Sequence, residues 1–482
     1  MHNHKLNPTR RKSRSSSSAP RPANGPSPQY DHLHAKRRQH LKKHTTHGTR
    51  SIAVAAAIAR QRRKESFAAL QKKRERWAKM AEETRDIVLG DGKYVEERRV
   101  PRVVDSPLLM TAPNTASVPQ NDFSSDIGFF TSGVSHDIYM QMQLSRQGTT
   151  FYPHYSWLLA DWHLPPSNGP REFKGKTTIE FTRTSTLTAT YALTVTHPDL
   201  VTTSPTSLPR TALGVLSFAS PKKPGGGYLH GGNEQEEGLA RCSSLVSSLS
   251  GEGGKEFYQT HRKYWKEDGS GLHDHSMLYS PGVVVIRKDD EETEVAGVLG
   301  EQSRNSRIGH PVASTSTSIT KSIPPSSQST FVSPYIINVI SSVPVNAAAV
   351  RSKHTITPSE IEFFESGIRT AMKERMARIL RCFEERGDRM LVLGAFGCGS
   401  SENRVESVAE IWAELLVTGD GDRESGGAEG EGEDGIVKGG ARFRDVFEKV
   451  VFAVPGKTFD TFKRAFEMRV FEMELASAAL ED

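Results

Sequence analysis

The most informative part of the chain reads Val215-Leu-Ser-Phe-Ala-Ser-Pro-Lys-Lys-Pro-Gly-Gly-Gly-Tyr-Leu-His-Gly-Gly-Asn-Glu-Gln-Glu-Glu237. An apolar strand runs into three consecutive glycines, Gly225, Gly226 and Gly227, and then into a helix. Adjacent glycines let main-chain N–H groups face one concavity, and a helix N-terminus favours an anion. The pattern favours a loop that binds a diphosphate, although a flexible surface loop has the same composition.

Two neighbouring carboxylates, Glu236 and Glu237, open the predicted helix. Asn233 is a candidate N-cap, and Glu236, three residues later, would complete a capping box with it. Glu237 has no such structural role, and it lies at the mouth of the glycine loop, within the first helical turn. Successive helical residues point about 100° apart, so the two carboxylates do not flank one bond as a glycosidase pair does. One acid with one positioning partner is therefore expected.

A second strand–glycine–helix unit follows later in the chain. A strand predicted over Met390–Phe396 leads into Gly397-Cys398-Gly399, and a helix is predicted over Val405–Leu416. Two such loops would grip a pyrophosphate from opposite sides, whereas a tight structural turn is the alternative. Phe396 is expected either to stack on a base or ribose or to pack in the core. Cys398 is interpreted as a small loop residue, because no motif places a histidine to activate it.

Strands alternate with helices over the rest of the chain, which indicates an α/β sandwich with a largely parallel sheet. The predicted strands are Thr177–Thr182, Leu213–Phe218, Val283–Ile286, Tyr335–Val343, Met390–Phe396 and Val450–Val454. The predicted helices are Ser51–Leu89, Thr184–Leu193, Gln235–Leu249, Ser359–Arg386, Val405–Leu416 and Thr458–Leu480.

Three glycines, a seven-residue spacer from Tyr228 to Glu234, and then Gln235-Glu236-Glu237 resemble the signature of microbial-type poly(ADP-ribose) glycohydrolases. Further segments resemble the family in order: Ala81-Glu82-Glu83-Thr84, Tyr279-Ser280-Pro281-Gly282-Val283, Ile337-Asn338-Val339-Ile340, and Leu393-Gly394-Ala395-Phe396-Gly397-Cys398-Gly399 with Asn403. Three positions depart from the pattern: Lys223 replaces an expected Asn, Glu234 a small residue, and Ser400-Ser401-Glu402 an apolar segment.

The resemblance implies a macrodomain-like three-layer α/β/α sandwich with a mixed, largely parallel sheet. It implies hydrolysis of ribose–ribose O-glycosidic bonds in poly(ADP-ribose), with Glu237 as general acid and Glu236 holding the ribose hydroxyls, and with neither metal nor cofactor. The implied substrate-binding residues are Gly225, Gly226, Gly227, Gln235, Phe396, Gly397, Cys398, Gly399 and Asn403. Two alternatives stay open: a reader that binds ADP-ribose without cleaving it, and a hydrolase of mono-ADP-ribosylated proteins.

Charge is unevenly distributed over the 482 residues. The chain carries a net charge of +6, but residues 1–50 alone contain twelve Lys and Arg and one acidic residue. A basic, disordered arm (1–50) is therefore expected before a slightly acidic body, which argues against a uniformly basic nucleic-acid-binding fold. The arm is expected to contact nucleic acid weakly at most, with a chromatin or RNA tether as a third reading of the protein.

The remaining expectations concern organisation and environment. We predict an N-terminal helix packed on the catalytic domain within 51–100, an insertion at 101–176, and one domain over 177–476 with disordered inserts at 301–333 and 418–440. Three cysteines exclude a disulfide scaffold, and no apolar run reaches the length of a membrane span. A monomer in the nucleus or cytoplasm is expected, with a mitochondrial location less favoured. His273-Asp274-His275 is interpreted as a solvated surface rather than a metal site.

Overall fold

The computed structural model describes residues 31–101, 129–166, 173, 175–289, 330–419 and 440–481. The chain divides into two units, Met1–Lys72 and Lys73–Asp482. Every residue of the candidate site discussed below belongs to the second unit. Within the described part of the chain, no helix combines the length and the apolar character needed to cross a bilayer.

The strands and helices are as follows. The strands are β1 (Lys93–Pro101), β2 (Phe129–Asp137), β3 (Thr150–Tyr152), β4 (Thr178–Thr182), β5 (Val201–Ser204), β6 (Ser207–Thr211), β7 (Leu213–Phe218), β8 (Met277–Arg287), β9 (Phe331–Ser342), β10 (Met390–Leu393) and β11 (Lys449–Ala453). The helices are α1 (Asp31–Val88), α2 (Tyr139–Gly148), α3 (Trp157–Ala160), α4 (Thr186–Thr196), α5 (Gln235–Cys242), α6 (Leu245–Leu249), α7 (Glu252–Glu267), α8 (Ala347–Lys353), α9 (Ile361–Arg386), α10 (Val405–Ala413) and α11 (Thr458–Glu481).

One seven-stranded sheet organises the second unit, in the order β3-β8-β9-β7-β10-β11-β4. The five strands from β9 to β4 run parallel to one another, and β8 and β3 pair antiparallel at one side. Two separate hairpins, β1–β2 and β5–β6, lie outside this sheet. Because β9, β7, β10, β11 and β4 are parallel, the loops that follow them all emerge at the same edge.

Alternating side chains of the central strands are buried on both faces of the sheet. Val215 and Val392 pack with residues of α4, α5, α6 and α7 on one face. Leu216 and Leu391 pack with residues of α9, α10 and α11 on the other. Because strand side chains alternate between faces, both faces need a helical layer to remove these apolar residues from water. The predicted three-layer sandwich with a mixed, largely parallel sheet is confirmed.

Helix α1 is longer than the sequence pattern predicted. It begins at Asp31 instead of Ser51 and ends at Val88, one residue before the predicted end. Residues 31–47 contain neither Pro nor Gly, so nothing in them breaks a helix. The predicted basic arm therefore shares residues 31–50 with α1, and residues 1–30 lie outside the described part of the chain.

The segment 101–176, predicted as an insertion, supplies part of the main fold. It contributes β2, α2, β3 and α3, and β3 pairs with β8 as an edge strand of the seven-stranded sheet, with Thr150 opposite Tyr279. The prediction of an insertion is corrected, at least for residues 129–160. A three-residue strand is too short to produce a recognisable period-2 pattern, which explains the error.

Serine side chains break the single helix predicted over Gln235–Leu249 into α5 and α6. Ser243 Oγ donates to the Leu239 carbonyl (2.6 Å), and Ser244 Oγ accepts from the Val284 N–H of β8 (2.9 Å). Serines that bond the main chain compete with helical hydrogen bonds. Helix α7, which follows, was not predicted.

The last three residues of the predicted insert 301–333 belong to β9. Residues 301–329 of this insert and residues 420–439 of the predicted insert 418–440 lie outside the described residues.

Candidate active site

A cleft of ≈ 230 Å³ opens at the edge where the parallel strands end. The loops after β4, β7, β10 and β11 contribute its walls, as the carboxyl ends of parallel strands do in open α/β sheets. The residues that line the cleft include Phe218, Glu234, Gln235, Ala395, Cys398, Gly399 and Val454. The two glycine loops predicted from sequence thus lie at one site.

The three glycines form a tight turn whose N–H groups point inward. Gly225 and Gly226 have φ of +66° and +54°, a left-handed conformation that favours glycine. The Gly226 N–H donates to the Lys223 carbonyl (3.1 Å), and the Gly227 N–H donates to Glu237 Oε1 (2.6 Å). These two donors are therefore used inside the protein. Here the glycines hold the glutamates, a role different from the diphosphate cradle that the sequence suggested.

Glu237 lies beneath this turn with both carboxylate oxygens hydrogen-bonded to main-chain N–H groups. Oε1 accepts from Gly227, and Oε2 accepts from the Glu234 N–H (2.7 Å). A Cβ on Gly227 would lie 2.8 Å from Oε1, so only glycine leaves room for the carboxylate. Glu234 caps α5 and forms a capping box with Glu237. The predicted box between Asn233 and Glu236 is therefore wrong by one residue, because the N-cap of α5 is Glu234 and not Asn233.

Glu236 is the more deeply buried of the two acids, at 1% exposure. Its Oε2 accepts from the Ser220 N–H (2.7 Å), and the Tyr258 hydroxyl of α7 lies 3.5 Å from Oε1. Burial raises the pKa of Glu236 to about 8, against the effect of these hydrogen bonds. At neutral pH the Glu236 carboxyl is therefore mostly protonated.

Gln235 fixes the start of α5 to the end of β7. Its Oε1 accepts from the Phe218 N–H (2.9 Å), and its Nε2 donates to the Leu216 carbonyl (2.8 Å). The amide thus pairs with the main chain of β7 past the last residue pair between β7 and β10, Val215 with Val392. This geometry gives Gln235 a positioning function in addition to its place in the cleft wall.

The second glycine loop is braced by Asn403. Its Nδ2 donates to the Val345 carbonyl (2.7 Å) and to the Gly397 carbonyl (3.0 Å). Gly397 has φ of +73°, and a Cβ there would lie 2.6 Å from Asn403 Nδ2. Asn403 and Gly397 therefore shape the loop, whereas Cys398 and Gly399 line the cleft. Burial raises the pKa of the Cys398 thiol to about 12, which disfavours a nucleophilic role.

Phe396 is fully buried, and its neighbour Phe218 lines the cleft in its place. The two rings meet at an angle, with centroids 5.4 Å apart. The predicted stacking of Phe396 on substrate is corrected, because the alternation of β10 and its loop turns this side chain into the core. Phe218, placed at the end of β7, is the aromatic surface that a base or ribose would meet.

Glu234 connects the two glycine loops. Its carboxylate forms a hydrogen bond with the Ser400 side chain of the second loop, and its Oε2 lies 3.6 Å from where a Gly399 Cβ would be. Burial, together with the nearby charge of Glu237, raises the pKa of Glu234. Two departures from the family pattern, at Glu234 and Ser400, thus contact each other across the cleft.

In the segment His273-Asp274-His275 the first histidine is buried and the other two residues are half-buried, which corrects the predicted solvated surface. His273 is 7% exposed, and its ring contacts the fully buried His261 of α7 with centroids 5.4 Å apart. Burial lowers the pKa of His273 to about 4 and that of His261 to about 3. Within the described residues, no group of three or more His, Cys, Asp or Glu side chains is arranged to hold a metal ion.

Helix α1 contributes Trp77 to the site, which the sequence patterns did not single out, and its Thr84, from the family-like segment Ala81-Glu82-Glu83-Thr84, supports α5. The Arg241 guanidinium lies 4.5 Å from the centroid of Trp77, and both residues line the cleft. Thr84 Oγ1 donates to the Arg241 carbonyl at the end of α5 (2.7 Å). Ser185 and Val454 also line the cleft, and their positions directly after β4 and β11 are the one sequence feature that would have indicated them.

Residues 124–288 match the family model of the microbial-type PARG catalytic domain. A crystal structure of poly(ADP-ribose) glycohydrolase (PARG) from Thermomonospora curvata is similar to this chain at 26% identity and a TM-score of 0.50, covering 82% of this chain and 99% of that one. Residues 124–288 are thus similar to a microbial-type PARG catalytic domain. The matched segment includes the three glycines and both glutamates.

Other PARG structures are similar to this domain at lower TM-scores. One is the Thermomonospora curvata enzyme bound to the inhibitor ADP-HPD, with 26% identity, a TM-score of 0.49 and coverage of 82% of this chain and 99% of that chain. Another is PARG from Deinococcus radiodurans in complex with ADP-ribose, with 25% identity, a TM-score of 0.45 and coverage of 68% and 97%. Comparison with curated protein sequences found no match.

Proposed function

We propose that this PARG catalytic domain hydrolyses ribose–ribose O-glycosidic bonds in poly(ADP-ribose) and releases ADP-ribose. The observation that carries the proposal is the pair of buried acids, Glu236 and Glu237, held at the start of α5 by the three-glycine turn and next to the cleft. The family match and the similarity to a PARG structure support the same reaction.

Glu237 is the proposed general acid. It protonates the 2′-oxygen of the neighbouring ribose as the bond from that oxygen to the anomeric carbon breaks. The positive charge that develops on the ribose ring is stabilised by nearby carboxylates and by the substrate diphosphate. Water then adds to the anomeric carbon and returns a proton to the Glu237 carboxylate, so that free ADP-ribose leaves.

Glu236 and Gln235 are proposed to position the reacting ribose. A neutral Glu236 carboxyl is able both to donate and to accept a hydrogen bond, which suits two adjacent ribose hydroxyls. Its links to Ser220 and Tyr258 fix its orientation. Gln235 keeps the start of α5 at a constant distance from β7.

Glu237→Gln tests the proposed acid. The substitution removes the transferable proton but keeps the size of the side chain, so hydrolysis of poly(ADP-ribose) should fall by about 10²–10⁴-fold while ADP-ribose still binds. Release of free ADP-ribose measures the first quantity, and calorimetric titration measures the second. Glu256→Gln, on the exposed side of α7, is the control. Wild-type activity in the Glu237→Gln protein would contradict the assignment.

The same assay separates the two alternative activities. Incubation of the wild-type chain with poly(ADP-ribose) and with mono-ADP-ribosylated protein shows which substrate releases ADP-ribose. Binding of ADP-ribose without release from either substrate would identify a reader. One observation favours that reading, since the Glu234 carboxylate lies between the glycine loops, where it would repel a diphosphate unless it is protonated or moves.

A further inference from the structure

The C-terminal end of α7 and the beginning of the glycine turn form an exposed aromatic and basic surface. Trp265 is 59% exposed, and the Lys222 ammonium lies 5.9 Å from the centroid of its indole ring. Lys223, the next residue, is exposed as well. We call Trp265, Lys222 and Lys223 the Trp265 surface.

A short chain of contacts joins this surface to the buried acid Glu236. The Lys222 N–H donates to Ser220 Oγ (3.3 Å), and the Ser220 N–H donates to Glu236 Oε2. On the helix side, Tyr258 approaches Glu236, and Trp265 follows Tyr258 by seven residues, which is two turns of α7. Two turns rise about 10.5 Å along a helix, so the surface begins about one nucleotide away from the proposed reaction centre.

The Trp265 surface and the cleft lie on different sides of β7. Helix α7 packs against β8 and β3, which follow β9 on one side of β7 in the sheet. Most cleft residues that follow a strand come after β10, β11 and β4, on the other side of β7, and Asp289 after β8 is the exception. A polymer that crosses the glycine turn at the glutamates would therefore meet the cleft on one side and the Trp265 surface on the other.

The chemistry of the surface fits an adenine nucleotide. A partly exposed indole stacks on a base, and ammonium groups attract a diphosphate. The same end of α7 exposes Arg262, Lys263 and Lys266, against which Glu267 and Asp268 are the acidic neighbours. The net charge is positive, as recognition of a polyanion requires.

We propose that the Trp265 surface is a second nucleotide subsite, which holds the ADP-ribose unit on the leaving-group side of the scissile bond. Trp265 stacks on the adenine of that unit, while Lys222 and Lys223 pair with its diphosphate. The inference rests on the proposed function, and it implies that the domain binds a polymer through two consecutive units, only one of which is the released ADP-ribose.

Trp265→Ala in the full chain tests the subsite. The variant should raise the KM for poly(ADP-ribose) about tenfold, with kcat changed by less than about twofold, and should leave the Kd for free ADP-ribose unchanged. Trp265→Phe should restore most of the affinity, because a phenyl ring also stacks. Trp157→Ala, which removes an exposed tryptophan from α3, is the matched control. An unchanged KM, or an equal loss of ADP-ribose affinity, would overturn the proposal.

A binding experiment keeps this test independent of catalysis. If wild-type protein releases no ADP-ribose, the proposed function fails, and the subsite is then judged by direct titration with a poly(ADP-ribose) oligomer and with ADP-ribose. Trp265→Ala should weaken the binding of the oligomer and leave the binding of ADP-ribose unchanged. A single-stranded RNA of equal length should not compete with the oligomer; equal competition would make the surface a nucleic-acid site and overturn the proposal.

Discussion

Glu236 combines burial, a neighbouring acid and only a few hydrogen-bond donors, which makes it costly to ionise. Its pKa is raised from 4.5 to about 8 in the folded protein. In the unfolded chain the same group ionises near 4.5, so folding must keep it protonated or bury a charge. Below about pH 4.5 the carboxyl is protonated in both the folded and the unfolded state, and its ionisation takes nothing from the free energy of unfolding. As the pH rises from about 4.5 to about 8, ionisation in the unfolded chain lowers the free energy of unfolding, and this part of the stability is lost.

Glu236→Gln should therefore gain stability relative to wild type as the pH rises between about 4.5 and 8. An amide stays neutral at every pH in this range, and each unit of pKa displacement corresponds to about 1.4 kcal/mol. Denaturant unfolding at pH 5 and pH 8 measures the difference. The exposed Glu256→Gln should show no such trend. A stability difference that is constant with pH would mean that Glu236 is ionised in the folded protein.

The roles of single residues were only partly predictable from the sequence. The adjacent pair Glu236 and Glu237 stands out because of its position after the glycines, and the structure places both beneath the turn. Which acid takes part in the capping box depends on where the first helical turn begins, and an error of one residue assigned the box to Glu236 instead of Glu237. The direction of Phe396 was equally open, because the strand period ends before its loop.

At the scale of elements, the C-terminal part of α1 holds α5 against β8 through one hydroxyl. Thr84 is fully buried, its Oγ1 donates to the Arg241 carbonyl of α5, and it accepts from Arg287 Nε of β8 (2.9 Å). Arg287 also pairs with Glu83 (2.7 Å). The helix that carries the proposed catalytic acids is thus positioned by a neighbour that contributes little of its own to the cleft.

Thr84→Val should destabilise the domain by about 1–3 kcal/mol, because it leaves the Arg241 carbonyl and the Arg287 Nε without this partner in a buried place. Thr84→Ser keeps the hydroxyl and is the matched control. Urea unfolding of the two variants and the wild type gives the comparison. Equal stability of the Val and Ser variants would show that the hydroxyl is dispensable.

Buried strands were the elements most accessible to prediction. The six predicted strands correspond to β4, β7, β8, β9, β10 and β11, because strands buried on both faces produce continuous apolar runs. Helix α7 was missed because two glycines near its start, Gly253 and Gly254, resemble a loop. The edge strand β3 was missed because three residues carry no periodic pattern.

At the scale of the whole molecule, the site belongs to the unit Lys73–Asp482, and the most basic part of the sequence belongs to Met1–Lys72. The order of the family-like segments along the chain predicts a single catalytic domain, and the residues of the candidate site lie within the unit Lys73–Asp482. The path of the chain across the sheet did not follow from that order, since the pairing of β3 with β8 joins residues far apart in sequence.

A chain that starts at Lys73 should hydrolyse poly(ADP-ribose) with the kcat of the full chain, because it keeps every residue assigned to the reaction. Removal of the basic residues should affect only weak, salt-sensitive binding to nucleic acid. Steady-state kinetics and titration with duplex DNA at two salt concentrations measure the two effects. A truncated protein that folds, by circular dichroism, but has lost kcat would assign residues 1–72 a part in catalysis.

The partly buried position of Cys398 has a consequence for how the protein responds to oxidants. Hydrogen peroxide and alkylating agents react with the thiolate form of cysteine far faster than with the thiol. With a pKa raised to about 12, the sulfur that lines the cleft is almost entirely protonated at neutral pH. Cys382 is buried with a raised pKa, and Cys242 is buried too. The second glycine loop is therefore expected to resist peroxide at concentrations that inactivate enzymes with low-pKa cysteines, and mass spectrometry of peroxide-treated protein measures this.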